Sequence, residues 1–419
     1  MPDNSQLSLR EGFSTGTAAA AAASAAVTLL LAGILPREAA VLLPPFAEDG
    51  TSLGFGNPSP LPRLLVIPIE QGERHADRGT ATASVIKDGG DDPDVTHGAR
   101  IIVQAGFQPP CPENTDTPLL GALPGGEILM RSRRILLYGG EGVGRITLPG
   151  LPVSVGEPAI NPEPRKQIAV AACLAAEKAG YDGPLHLLLR VPDGEERALK
   201  TLNPRLGILG GISILGTSGT VRPYSHDAWK AAICQQLDIV RALGREEALF
   251  STGRRSERMG LALYPELSGP ASIQVADYAA FSLREAARRS FTKIIWVCFP
   301  GKLLKLAQGL EWTHAASAPA DISLLAAYAR EAGASDALLS SLASMPTVAG
   351  VMTLMENDAP GVSQKVLRSL TNRAAGCMCG WLNACAPSSL TLILHVFARD
   401  GVLSDRETVT KKLIDHSIV

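Results

Sequence analysis

The stretch IQVADYAAFSLREAARRSFTKIIWVCFPGKLLKLAQGL, Ile273–Leu310, decides the fold of the second half of the chain. IQVAD and KIIWVCF are apolar runs of strand length, and each is followed by a segment with helical composition, FSLREAARRSF and GKLLKLAQGL. Strand then helix, repeated, implies a parallel sheet, because a parallel neighbour is reached only through a long crossover, usually a helix. Upstream the same rhythm begins with a helix around Trp229–Leu243 and the strand EEALF. Downstream the chain reads as two or three helices, a strand LTLILHVFA, an Asp400-Gly401 turn and a terminal amphipathic helix.

The first half has a different rhythm. Residues 51–106 alternate short apolar runs (LLVIPI, ATASVI, ARIIVQAG) with Gly, Pro and Asp clusters, which predicts short strands joined by turns. The alanine run TAAAAAASAAVTLLLAG has high helix propensity, with Thr15 or Thr17 as a natural N-cap, and reads as a buried helix rather than a signal segment or membrane span. A second helix opens at Pro162 and Pro164. The expected organisation is therefore an α+β domain over residues 1–228, followed by a smaller α/β domain with a mostly parallel sheet over 229–350. The helices and strand of 351–419 are expected to pack on that second domain.

Of the 419 residues, 46% are hydrophobic and 19% charged, the balance of a globular chain. A formal net charge of −2 supplies no long-range field for nucleic acid or anionic lipid, so neither is an expected partner. The cysteines number seven, scattered and without a C-x-x-C pair, which fits a reducing, cytoplasmic compartment. Cys377, Cys379 and Cys385, with Cys298 or His395, could be imagined as a metal site. Cys377 and Cys379 lie two apart in a predicted helix and point away from each other, so no protein-bound metal is expected.

Three segments concentrate chemistry-bearing residues. KDGGDDPDVTHG, Lys87–Gly98, has the alternating acids of a calcium loop at Asp92 and Asp94, but His97 and Val103 stand where that template needs glycine and a bidentate acid. It is either an Asp-Pro turn with carboxylates on backbone amides, or a polar loop at a strand end that faces a ligand. GEGVGRITLPGLPVSVGEPAINPEPRK ends on Arg165 and Lys166 at a helix start, where anions are favoured, with Glu157 and Asn161 along its path. LGGISILGTSGTVRPYS carries Gly216, Thr217, Ser218, Gly219 and Thr220, a loop of amides and hydroxyls that could cradle an anion or a ribose, though it lacks the ending of a P-loop and could be a plain tight turn.

Together LREGFSTGTAAAAAASAA, VIKDGGDDPDVTHGARI, GVGRITLPGLPVSVGEPAINPEPRKQI and LGGISILGTSGTVRPYS resemble, in order, the signature segments of the CbiD family. FPGKLLKLAQGLEWTH and LTLILHVFARDGVLS extend the resemblance over nearly the whole chain. Departures fall in the second half. Cys298-Phe299-Pro300-Gly301-Lys302 stands for the usual Gly-His-Ile-Gly-Lys, Thr313-His314-Ala315 for Thr-His-Ser, Ser251–Arg255 for Pro-Gly-Asn-Tyr-Gly, and Asp277–Ala280 for Asn-Phe-Ile-Gly.

The resemblance implies transfer of a methyl group from S-adenosylmethionine to C-1 of cobalt-precorrin-5B, giving cobalt-precorrin-6A in anaerobic cobalamin synthesis, with cobalt arriving in the tetrapyrrole substrate. On that footing Thr15, Gly16, Thr17 and Gly216, Thr217, Ser218, Gly219 are expected at the methyl donor. Arg165, Lys166, Arg205 and Arg222 are expected at the substrate's carboxylates. Asp91, Asp92 and Glu157 are expected to orient the sulfonium or take up a proton. Homo-oligomerisation is compatible with the reading. A nicotinamide-dependent reductase of the same pathway is the rival enzyme, opposed by the missing G-x-G-x-x-G near Ser251, and a non-catalytic corrinoid-binding protein is the rival outside catalysis.

Overall fold

In the computed structural model the alanine run is a helix, α1, Thr15–Ala32. The structure describes residues 9–45, 63–110, 117–119, 128–130, 133–315, 317–382, 390–397 and 403–411. Its N-cap is Ser14, one residue ahead of the expected threonines: the Ser14 hydroxyl accepts from Thr17 N at 3.1 Å. Thr15 and Thr17 are drawn instead into tertiary hydrogen bonds. At the other end Gly33 adopts φ 70° and closes the helix on Leu29 O. Of its 18 residues 14 are buried, so an apolar helix long enough to cross a membrane is here the central helix of a folded unit.

The chain divides into two units, Met1–His226 and Asp227–Val419. In the first, α1 packs with α2, Pro162–Lys178, on one face of a seven-stranded sheet. Its main strands are β1 (Gln71–His75), β2 (Thr80–Ile86), β3 (Arg100–Gly106), β4 (Arg133–Gly139) and β5 (Leu185–Arg190). Their spatial order is β1-β2-β3-β5-β4, with Thr117–Leu119 and Ile128–Met130 pairing on β4. Only the β5–β4 pair is parallel. Strand alternation sends Ala81, Ala83, Val85, Ile101, Val103, Ala105, Leu187 and Leu189 toward the helices. Thr80, Thr82, Gln104, His186, Leu188 and Arg190 face the other way.

In the second unit the sheet has five strands: β6 (Glu247–Ser251), β7 (Ser272–Gln274), β8 (Lys293–Cys298), β9 (Leu390–Phe397) and β10 (Leu403–Lys411). The order β7-β6-β8-β9-β10 is parallel through β9 and antiparallel only at β10. Helices α3 (Arg254–Leu263), α4 (Ala279–Arg288) and α5 (Pro300–Ala307) follow β6, β7 and β8. Phe250 and Trp296 meet edge to face, ring centroids 6.0 Å apart, in the core beneath α4 and α5, a pair worth roughly 0.5–1.5 kcal/mol beyond its buried area.

Two expectations change. Residues 403–411 form β10, not a helix; Thr408, Val409 and Thr410 favour extended chain, and the free edge of β9 supplies the ladder. The Asp400-Gly401 turn lies outside the described residues. ISIL is not a strand of ordinary length either: Gly211–Ile212 pairs with Gly142–Val143 and Ile214 bridges Ile160, because this segment stitches loops together.

Candidate functional site

The four glycine-rich segments of the first unit converge where α1 and α2 begin. Gly12–Phe13 pairs with Thr220–Val221, Gly16 N donates to Leu215 O at 2.9 Å, and Ser14 N to Gly219 O at 3.0 Å. A Cβ on Gly12 would lie 2.3 Å from Gly89 C, and one on Gly216, at φ 138°, 2.2 Å from Ser14 Oγ. Thr15 Oγ1 accepts from Leu215 N at 2.8 Å, and Thr17 Oγ1 donates to Gly219 O at 2.7 Å. The structure thus brings Thr15, Gly16 and Thr17 together with Gly216 and Gly219, as partners of each other. Thr217 stays exposed and Ser218 half-buried.

All the acids of Lys87–Gly98 hold backbone or a cation. Asp88 binds Arg10 through both carboxylate oxygens and accepts from Gly90 N at 2.9 Å; the Arg10 hydrogen bonds hold its carboxyl down at about 2. Asp91 accepts from Arg10 N at 2.6 Å and Asp92 from Tyr224 N at 2.9 Å. Asp94 faces the buried Lys87 ammonium at 2.5 Å and caps Thr96. Burial works to raise the Asp94 carboxyl, and Lys87 with Thr96 outweighs it, leaving it below the usual range.

The expected cations are equally engaged. Arg165 is 1% exposed, donates to Ile160 O at 2.5 Å and pairs with Glu157 at 2.9 Å, so these two expected site residues are each other's partner. Lys166 pairs with Glu163 at 3.2 Å and Arg222 with Glu11 at 3.1 Å, both at the surface. Arg205 is half-buried in the turn Asn203–Leu206.

A second gathering occurs in the other unit, at the carboxyl ends of the parallel strands. The chain runs from β6 to β7 on one side and returns past it to β8, so the order reverses between β6 and β8, the place where open α/β sheets leave a crevice. Ser251 ends β6; its hydroxyl is buried and has no hydrogen-bond partner among the described residues. Gly253 and Gly301, which open α3 and α5, have empty space where a Cβ would be.

Asp277, beyond β7, takes Lys302 Nζ and Thr313 Oγ1 (2.9 Å) on the same oxygen, Oδ1. Lys305 donates to Thr313 O at 3.1 Å and His314 O at 2.9 Å; burial pushes its ammonium below the ordinary value, and Lys302 adds to the shift. Burial pushes the Cys298 thiol up to about 12, so it stays a neutral core group. Cys385 lies outside the described residues.

Sequence reading did not select Ser251, Asp277, Lys302 and Thr313 as a site. The available signal was positional: Ser251 follows the predicted strand EEALF, Asp277 ends IQVAD, and Lys302 lies at the start of the helical segment after KIIWVCF.

The comparisons with known proteins agree across the chain. The family model CbiD matches residues 2–223, and the model described as CbiD, C-terminal domain matches residues 312–406. The chain is 46% identical over 367 residues to a protein of Nitratidesulfovibrio vulgaris named cobalt-precorrin-5B C(1)-methyltransferase, covering 88% of this chain and 86% of that one. A protein of the same name from Geobacillus sp. is 40% identical over 349 residues, 83% of this chain and 85% of its own length. A solved structure described as cobalamin biosynthesis protein (cbiD) from Archaeoglobus fulgidus is 27% identical and covers 71% of this chain and 79% of that one, with a TM-score of 0.33, too low to bear on the fold. Matches of this identity and extent leave one assignment: the chain belongs to the CbiD family.

Proposed function

We propose that the protein methylates C-1 of cobalt-precorrin-5B with S-adenosylmethionine, as a C-methyltransferase of cobalamin biosynthesis. The observation that carries this reading is the 46% identity, over 88% of the chain, to a relative with that name. When bound, S-adenosylmethionine supplies an activated methyl: the S–CH3 bond breaks with its electrons staying on sulfur, while the ring's own electrons make the new bond at C-1. What remains for the protein is placement.

The carboxyl ends of the second unit's strands suit the donor better than the glycine-lined junction of the first. The Ser251 hydroxyl lacks a partner among the described residues, Asp277 keeps Oδ2 clear of Lys302 and Thr313, and Gly253 and Gly301 leave room for a nucleoside to approach backbone amides. Asp277 has the placement, beyond the second strand, from which an acid receives ribose hydroxyls in doubly wound sheets. In the first unit the Gly16 and Thr17 amides and the Thr15 and Thr17 hydroxyls are already paired. Asp91 and Asp92 remain the acids placed to meet a ligand at the surface of that junction; Glu157 is committed to Arg165.

The test is methyl transfer from methyl-labelled S-adenosylmethionine to cobalt-precorrin-5B, read as a product heavier by one methyl group. Nicotinamide oxidation without methyl transfer would establish the reductase instead.

A further inference from the structure

The face of the first unit's sheet turned away from α1 and α2 holds a cavity of about 380 Å³. Register explains its composition. His75 lies opposite Thr80 across β1 and β2, Thr82 opposite Gln104 across β2 and β3, and Gln104 opposite Leu188 across β3 and β5. His186 and Arg190 flank Leu188 on the same side of β5. Arg78, Gln108, Pro109 and Pro110 complete the wall. Among the described residues, no aspartate or glutamate lines it.

Two arginines and two histidines converging, with no carboxylate among the described lining residues, are not the balance of an ordinary solvated surface. Two acids lie just outside the lining: Glu73 is 3.8 Å from His75, and Asp77 is 3.7 Å from Arg78. Arg190 is the decisive group. Its Nε is buried and has no hydrogen-bond partner among the described residues. A guanidinium N–H taken out of water without an acceptor costs free energy that an arriving carboxylate recovers through a bidentate bond. The Gln104 and Gln108 amides and the Thr80 hydroxyl add neutral donors around it. His186 is fixed by Tyr138, whose hydroxyl is 2.8 Å from Nδ1, so its Nε2 edge is held in place by the sheet.

We propose that this cavity receives carboxylate arms of the corrinoid substrate, with Arg190 as the central contact and Arg78 at its rim. The inference rests on the proposed function for the identity of the ligand and on the cavity alone for its chemistry. It moves substrate binding away from Arg165, which is spent within the fold. A cavity of this size admits the acidic edge of a tetrapyrrole rather than the ring.

The test is equilibrium binding of cobyrinic acid, a corrinoid with free side-chain carboxylates, to the full chain, with cobinamide, whose side chains are amides, as control. Wild type is expected to prefer cobyrinic acid. Arg190→Gln and Arg78→Gln should each weaken it roughly tenfold, leave the weak cobinamide binding unchanged and raise KM for cobalt-precorrin-5B rather than lower kcat. Arg78 sits on an exposed turn, so its variant keeps the test open if Arg190→Gln unfolds.

Unchanged cobyrinic acid binding and KM in both variants, with wild-type methyl transfer intact, overturns the inference and leaves the function standing. Carboxylate-dependent binding lost in the variants, in a protein that transfers no methyl group, upholds the cavity and overturns the function. A change of molecular mass in solution without a change in binding makes this face a contact between copies and also overturns the inference.

Discussion

The glycine-lined junction of the first unit and the strand ends of the second are made from the same residue types, and they differ in how fully those residues are used. In the junction the Thr15 and Thr17 hydroxyls and the carboxylates followed above have partners within the unit, down to the Arg165–Glu157 pair. At the strand ends a buried serine hydroxyl lacks one among the described residues, two glycines border empty space, and one oxygen of Asp277 does the work of two. Saturated polar groups rigidify; unsaturated ones in a crevice are available to a ligand. A recognisable motif and a ligand site are therefore separable properties of this chain.

The sharpest way to break that contrast is to add one methyl group to each region. Gly12→Ala forces a Cβ into backbone atoms of Gly89 and Asp88 that cannot rotate away, and is expected to cost more than about 3 kcal/mol, read as a collapse of the thermal midpoint. Gly253→Ala meets nothing within 4 Å and sits at an extended φ of 168°, so its stability should stay within about 0.5 kcal/mol of wild type while donor binding weakens. Equal melting losses in the two variants would erase the distinction.

Next in size is Arg165→Met, which keeps the apolar stem but strands Ile160 O and Glu157. Glu157 is 25% exposed and can turn toward water, so the loss should fall at the low end for a broken buried pair, about 3 kcal/mol in denaturant titration. A variant with wild-type stability and a raised substrate KM would return Arg165 to the list of substrate contacts.

Asp277→Asn probes the other region. The amide can still accept from Thr313, so stability should drop by only about 1 kcal/mol, while KM for S-adenosylmethionine rises roughly tenfold through the lost charged acceptor. An unchanged donor KM would move the donor out of this crevice.

How far the sequence reveals this contrast follows from what carries each part. The parallel sheet is legible because strands such as KIIWVCF and helices such as FSLREAARRSF each repeat a period long enough to recognise. The junction is not, because its strands are two residues long and two residues have no period. Nor are roles legible: an aspartate that caps an amide and one that meets a ligand are the same letter, and Asp277, Lys302 and Thr313 become one cluster only after the strands align. The same limit applies to Arg190, an ordinary strand-end arginine until its Nε is found buried without an acceptor among the described residues.

A smaller effect tests whether the junction's charges are structural. The Asp88 carboxyl is held at about 2 by Arg10, below its unfolded value, so the folded state binds the proton less readily than the unfolded one. Its contribution is complete above the usual carboxylate range and is lost as pH falls through about 2. Comparing wild type with Asp88→Asn over that acid window should show the difference in thermal midpoint shrinking as pH drops, modestly because the pair is exposed. A constant difference would mean that the carboxylate charge plays no part.

The smallest stability change, and the one that decides the reading of Lys87–Gly98, belongs to Asp92→Asn. Asp92 Oδ1 accepts from Tyr224 N, and an asparagine oxygen in the same position accepts that bond equally well. Stability should therefore stay within about 0.5 kcal/mol of wild type, whereas Asp92→Ala, which leaves the amide without its acceptor, should lose roughly 0.5–2 kcal/mol, as lost caps do. Turnover separates the two roles that geometry leaves together. Tyr224 holds φ 56° with its ring exposed, and Asp92 is what ties that left-handed residue to the loop, a sufficient structural reason for the acid to be there. If that is its whole role, Asp92→Asn turns over normally. If its charge also faces the sulfonium or the macrocycle, the asparagine variant melts like wild type and loses turnover, and the saturated junction then holds one group that serves both fold and chemistry.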